Sequence, residues 1–129
     1  MASFFRIVRI CEERGSGFDR MEEGMSELLI KAPKVETGDD FARTKLYWNQ
    51  RLANWTKEDK IRTCYLATCY NYVNEIEVSN SILRKRFGVE EKNKSIISRI
   101  VKDTLEAGGI KLSDETVAPK MRKYIPYWA

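Results

Sequence analysis

The chain has no histidine, and only three cysteines and three prolines among its 129 residues. Without histidine it lacks the commonest general base and the commonest metal-binding nitrogen ligand. The cysteines, Cys11, Cys64 and Cys69, form no C-x-x-C pair, so no zinc set is expected and no metal is assigned. An odd cysteine number fits a reducing, cytoplasmic compartment. Cys64 and Cys69 read as small apolar packing residues on a helix. No apolar run approaches the roughly 20 residues of a membrane span. The opening M-A-S-F-F-R-I-V-R-I is broken by Arg6 and Arg9 and has no cleavage-site pattern, so it does not read as a signal peptide. The phosphate-loop pattern G-x-x-x-x-G-K-[ST] is absent as well.

What is present is charge, unevenly placed. The net charge is +4. Residues 1–48 hold 8 basic and 9 acidic residues, whereas residues 49–129 hold 15 and 10. The positive excess lies in the second part, which suits a polyanion partner there.

That part is organised around residues 78–110. Ser79 is placed to cap a short helix whose apolar side is Ile82, Leu83 and Phe87 and whose stop is Gly88. A second helix is expected over residues 91–108. At 100° per residue, Ile96, Ile97, Ile100, Val101, Thr104 and Leu105 share one half of it. Lys92, Ser95, Ser98, Arg99, Lys102 and Glu106 share the other. Two helices across a tight turn, the second with a basic outer face, point to a helix-turn-helix. A strand at residues 110–112, a polar loop at 113–120 and a returning strand at 122–128 complete a wing. Upstream, Thr56-Lys57-Glu58-Asp59 reads as a capping box with Asp in the place of Glu. It opens a helix to about residue 74, with a core stripe of Ile61, Tyr65, Leu66, Cys69, Tyr72 and Val73. Glu77-Val78 would supply a short first strand.

Residues 3–14 and 18–30 read as two helices. The second has Phe18, Met21, Met25, Leu28 and Leu29 at 3–4 spacing and stops at Ala32-Pro33. Between them, Gly15-Ser16-Gly17 is either a plain turn or a run of free backbone N–H groups that faces a phosphate. Residues 34–37 and 41–48 read as a hairpin around Gly38-Asp39-Asp40, with a bare edge that suits pairing or aggregation. Residues 49–55 read as a linker. Fewer than about 50 residues rarely hold an independent core, so residues 1–48 look like the end of a larger domain. The expected fold class is therefore α+β. A winged helix-turn-helix of three helices and a β wing, residues 56–129, follows a truncated α/β segment of two helices and a hairpin, residues 1–48.

Several runs carry a family resemblance. Residues 12–21, E-E-R-G-S-G-F-D-R-M, resemble the end of the ATP-binding-like domain of bacterial RecG-related ATP-dependent DNA helicases, which are also described as transcriptional regulators. The runs W-T-K-E-D-K-I-R, R-F-G-V-E-E-K-N, R-I-V-K-D-T-L-E-A-G and K-Y-I-P-Y-W-A resemble the winged helix-turn-helix tail of the same proteins. The resemblance covers nearly the whole chain. It implies a larger parent with a Schlafen-like domain and a domain of the gyrase and histidine-kinase (GHKL) ATPase type. Residues 1–48 would be the C-terminal remnant of that ATPase-like domain. Gly15, Ser16 and Gly17 match the position of its last glycine box, and ATP would be the parent's cofactor. The other nucleotide motifs would lie upstream, so this chain alone is expected to hold no cofactor and perform no catalysis.

The expected partner is duplex DNA. Ser95, Arg99 and Lys102 face outward from the second helix, with Lys92 and Lys94 near its start. Arg99 is the leading base reader, because a guanidinium pairs bidentately with guanine. Lys85 and Arg86 would touch phosphates, and Lys120, Arg122 and Lys123 would reach DNA from the wing. The alternative is a winged helix used for protein contact or homodimerisation, since Glu90, Glu91, Asp103 and Glu106 dilute the positive face.

Overall fold

A computed structural model describes residues 17–129. The helix expected over residues 3–14, together with Gly15 and Ser16, lies outside the described residues. The fold is α+β, with four helices and two small antiparallel sheets among the described residues.

Helix α1 spans Gly17–Glu27, three residues short of the expected end. Its stop is not Ala32-Pro33 but a tight turn in which Leu29 takes a left-handed backbone, φ 55°. Ile30 N–H donates to Met25 O (2.8 Å) and closes that turn. Leu28 and Leu29, expected on the apolar face, are 64% and 44% exposed, because the chain has left the helix before reaching them. Residues 30–33 then run buried against the next helix. There Ala32 N–H donates to Thr63 Oγ1 (2.8 Å), and Arg62 donates to Ala32 O.

Strands β1 (Lys34–Thr37) and β2 (Ala42–Lys45) form the expected hairpin, with Lys34 opposite Lys45 and Thr37 opposite Ala42. The second strand ends before residues 46–48, and Leu46 and Trp48 stand exposed. The segment expected as a linker is structured. It holds a single turn of 3-10 helix, Leu52–Asn54, and then buries Trp55. That indole donates to Gln50 O (3.1 Å), and its ring lies 5.7 Å from the Phe87 ring.

Helix α2 spans Lys57–Val73 and starts with the capping box: Thr56 Oγ1 accepts from Asp59 N–H, and Asp59 accepts from Thr56 N–H. Its buried residues are Asp59, Thr63, Cys64, Leu66, Ala67 and Thr68; of the expected stripe only Leu66 is fully among them, and Ile61, Tyr65 and Cys69 are half-buried. Tyr72 and Val73 are exposed. Neighbours cover α2 on more than one side, so a single apolar stripe is the wrong template for it. Its buried threonines are satisfied locally, as when Thr68 Oγ1 donates to Cys64 O (2.8 Å). Cys64 sits in the core as expected, and burial pushes its thiol up to about 11.

Helix α3 (Asn80–Phe87) follows Ser79, whose side chain makes no capping bond, contrary to expectation. Gly88 closes α3 at φ 70°, a left-handed conformation that glycine adopts at little cost. A turn of 3-10 helix at Glu91–Asn93 leads into α4 (Lys94–Glu106). β3 (Ile110–Leu112) pairs antiparallel with β4 (Tyr124–Pro126), and Val78 adds one bridge to Tyr124. The main core gathers Trp55, Cys64, Ala67, Val78, Leu83, Phe87, Ile97, Ile100, Val101 and Ile110.

Candidate nucleic-acid interface

Helix α4 positions the candidate residues because its inner side is anchored. Ile97, Ile100, Val101 and Thr104 are buried, and Thr104 Oγ1 donates to Ile100 O (2.8 Å). A helix held on that side must turn the opposite side to solvent. Ser95, Arg99 and Lys102 are exposed there, Lys94 is exposed at the helix start, and Lys92 is exposed in the turn before it. Among the described residues, Lys94, Arg99 and Lys102 make no ion pair, while Lys92 pairs with Glu90 at 2.9 Å. Ile96 departs from expectation: it was placed on the apolar half but is 41% exposed.

A polar seam ties α4 to α3. Arg84 Nε donates to Asn80 Oδ1 (3.2 Å), and Asn80 Nδ2 donates to Ser98 Oγ (3.4 Å). Ser98 Oγ in turn donates to Lys94 O (3.2 Å). Sequence reasoning missed Asn80 and Arg84. Their i, i+4 spacing was visible, but the partner in α4 depends on how the two helices cross.

Of the two cations assigned to phosphates on α3, Lys85 is exposed as expected. Arg86 is not on that surface. It is 4% exposed, and its Nε donates to Glu22 Oε1 of α1 at 2.8 Å. The sequence placed it among basic neighbours; tertiary packing turned it inward onto a carboxylate 64 residues away. Burial pushes that Glu22 carboxyl above its ordinary value, against the pull of the Arg86 charge and hydrogen bond.

The wing cations sit on a separate element. Lys120 and Arg122 are exposed, and Lys123 is half-buried, with its carbonyl accepting from Ser113 N–H (3.0 Å). Asp114 shapes the loop by accepting from the Thr116 hydroxyl (2.6 Å) and N–H (2.9 Å), and these bonds lower its carboxyl. The loop is therefore not uniformly positive. Pro119–Met121 adds a turn of 3-10 helix before β4. The returning strand is shorter than expected: Tyr127 N–H still donates to Gly109 O (3.1 Å) beyond β4, but the rings of Tyr127 and Trp128 pack on α2. Tyr127 stacks at 6.1 Å from Tyr65, and Trp128 meets Tyr72 edge-on at 5.5 Å.

Of the glycine-box candidates, Gly17 begins α1, while Gly15 and Ser16 lie outside the described residues. Among the described residues no group of His, Cys, Asp or Glu is placed to hold a metal ion. No described helix is long and apolar enough to cross a membrane. No protein-family model, curated protein or solved structure matches the chain.

Proposed function

We propose that residues 56–129 are a winged helix that binds duplex DNA through α4, within a RecG-related, helicase-like or regulatory parent. In this reading α2, α3 and α4 are the three helices, and β3, β4 and the Val78 bridge make the wing sheet. The observation that carries the proposal is the shared outer face of α4: Ser95, Arg99 and Lys102, at i, i+4 and i+7, are exposed opposite the buried Ile97, Ile100, Val101 and Thr104. Arg99 reads a base edge. Lys85, Lys92, Lys94, Lys120, Arg122 and Lys123 contact phosphate and hold the register. The chain itself performs no catalytic step; nucleotide chemistry with ATP belongs to the parent, and the setting is the bacterial cytoplasm.

Fluorescence anisotropy of the chain with a labelled random duplex, across a salt series, tests this. Each neutralised phosphate contributes about −0.9 to the log–log slope. The double variant Arg99→Ala/Lys102→Ala is expected to bind at least about tenfold more weakly, a loss of about 1.4 kcal/mol, while melting cooperatively. Unchanged binding by that folded variant would remove α4 as the reading helix.

A second reading has a specific observation behind it. Ile96 is exposed on α4, and Glu90 and Glu91 before the helix and Glu106 at its end are exposed too. A helix face that mixes apolar and both charge signs also suits a protein partner or a second copy of the chain. Sedimentation showing a dimer that Ile96→Glu abolishes would favour that reading.

A further inference from the structure

The last turn of α3 carries three successive cations, Arg84, Lys85 and Arg86. Lys85 is exposed and Arg84 half-buried, but Arg86 is buried and meets Glu22 of α1. Its Nε makes that contact, yet among the described residues its two remaining nitrogens, Nη1 and Nη2, and the second Glu22 oxygen, Oε2, have no hydrogen-bond partner. Burying an ion pair so incompletely is costly, because each orphaned atom loses its water without replacement. A pair kept only for stability would be better satisfied or apolar.

The rest of the contact mixes a small apolar cluster, Ala32 on Leu66 with Met21 beside them, with several polar bonds. Lys31 reaches Asp59 at 2.9 Å, Ala32 bonds to Thr63 and Arg62, and the Tyr70 hydroxyl donates to Glu23 at 2.6 Å. Such an interface resembles the reversible contacts between domains rather than a core. A second point of contact falls on the turn between α3 and α4. Leu29, itself in a left-handed conformation, places its Cδ1 2.7 Å from where a Cβ on Gly88 would stand. The segment thus grips α3 at both Arg86 and Gly88.

We infer that residues 17–33 are a releasable arm that withholds the Arg86 guanidinium from polyanions, so that arm docking and duplex binding compete for the same side chain. The inference rests on the DNA-binding reading. Released, Arg86 joins Lys85 as a phosphate contact with both terminal nitrogens free for oxygen acceptors. Competition for one group is reciprocal: duplex loosens the arm by the factor by which the docked arm weakens duplex binding.

The test needs wild-type protein first. Amide hydrogen exchange in residues 19–33 is expected to quicken at least about fivefold when excess random duplex is added at low salt. Unchanged or slower exchange with duplex bound overturns the arm and leaves the DNA reading standing. Glu22→Gln is expected to steepen the salt slope of binding by about 0.9, one added phosphate contact, and Glu22→Gln/Arg86→Gln to return it to the wild-type value. An unchanged slope in a folded Glu22→Gln also overturns the arm. No anisotropy change in either wild type or Glu22→Gln sinks the arm and the DNA reading together. Binding by Glu22→Gln alone supports both.

Discussion

At the scale of single residues, Asp59 does the most. It closes the capping box of α2, and it accepts from Lys31 at 2.9 Å and Arg62 at 3.0 Å. Burial by itself would raise its carboxyl. The bonds from Lys31, Arg62 and Thr56 more than reverse this and hold it well below the ordinary carboxylate range. A carboxyl lowered on folding adds stability that is present above its unfolded value, about 4, and is lost as pH falls through the folded value. Wild-type stability is therefore expected to fall steeply below about pH 4, and Asp59→Asn to lose that acid slope in urea melts at stepped pH. Glu22 acts with the opposite sign: its raised carboxyl favours the folded state as pH falls through that raised value. Near neutral pH, Asp59→Asn is expected to cost about 3 kcal/mol, because it strands Lys31 and Arg62. A cost near zero would make the trio a solvated surface cluster. In the core, Leu83 and Ile97 are fully buried, and Leu83→Ala is expected to cost about 3 kcal/mol by chemical denaturation.

At the scale of elements, the helix stops matter more than the helices. Gly88 and Gly108 both sit at positive φ, 70° and 78°, after α3 and α4. Alanine at either is expected to cost about 1 kcal/mol from backbone strain. The two sites differ in their surroundings. A Cβ at Gly88 runs into Leu29, whereas one at Gly108 meets nothing within 4 Å. Gly88→Ala should therefore also speed amide exchange in residues 19–33, and Gly108→Ala should not. Equal exchange in both variants would mean that Leu29 simply swings aside. The stops at Gly88 and near Gly108 were legible, because glycine is the residue that tolerates this conformation. The stop of α1 was not: Leu29 carries no such signal, and its left-handed turn exists because residues 30–33 are pulled against α2. The outer face of α4 was legible from 3.6-residue periodicity except at Ile96, where the neighbouring elements leave one apolar position uncovered.

At the scale of the whole molecule, the main core draws all its buried members from residues 55–110. A fragment of residues 50–129 is therefore expected to melt cooperatively, with a lower midpoint than the full chain because Lys31 no longer meets Asp59 and Ala32 no longer packs on Leu66. A non-cooperative melt would show that residues 17–48 are part of the folding unit. The sequence by itself determined the local pieces: the capping box at Thr56, the hairpin of residues 34–45, the glycine stop of α3, the buried side of α4 and the pairing of β3 with β4. Each depends on backbone preference or on periodicity over a few residues, both of which are written locally. Only the tertiary structure decided that Arg86 faces Glu22 instead of solvent, that α2 is covered on more than one side, that Trp55 leaves its linker for the core, and that Asn80 bridges to Ser98. Those outcomes depend on which distant surfaces meet, and a basic or apolar side chain looks the same in sequence whichever neighbour it finds.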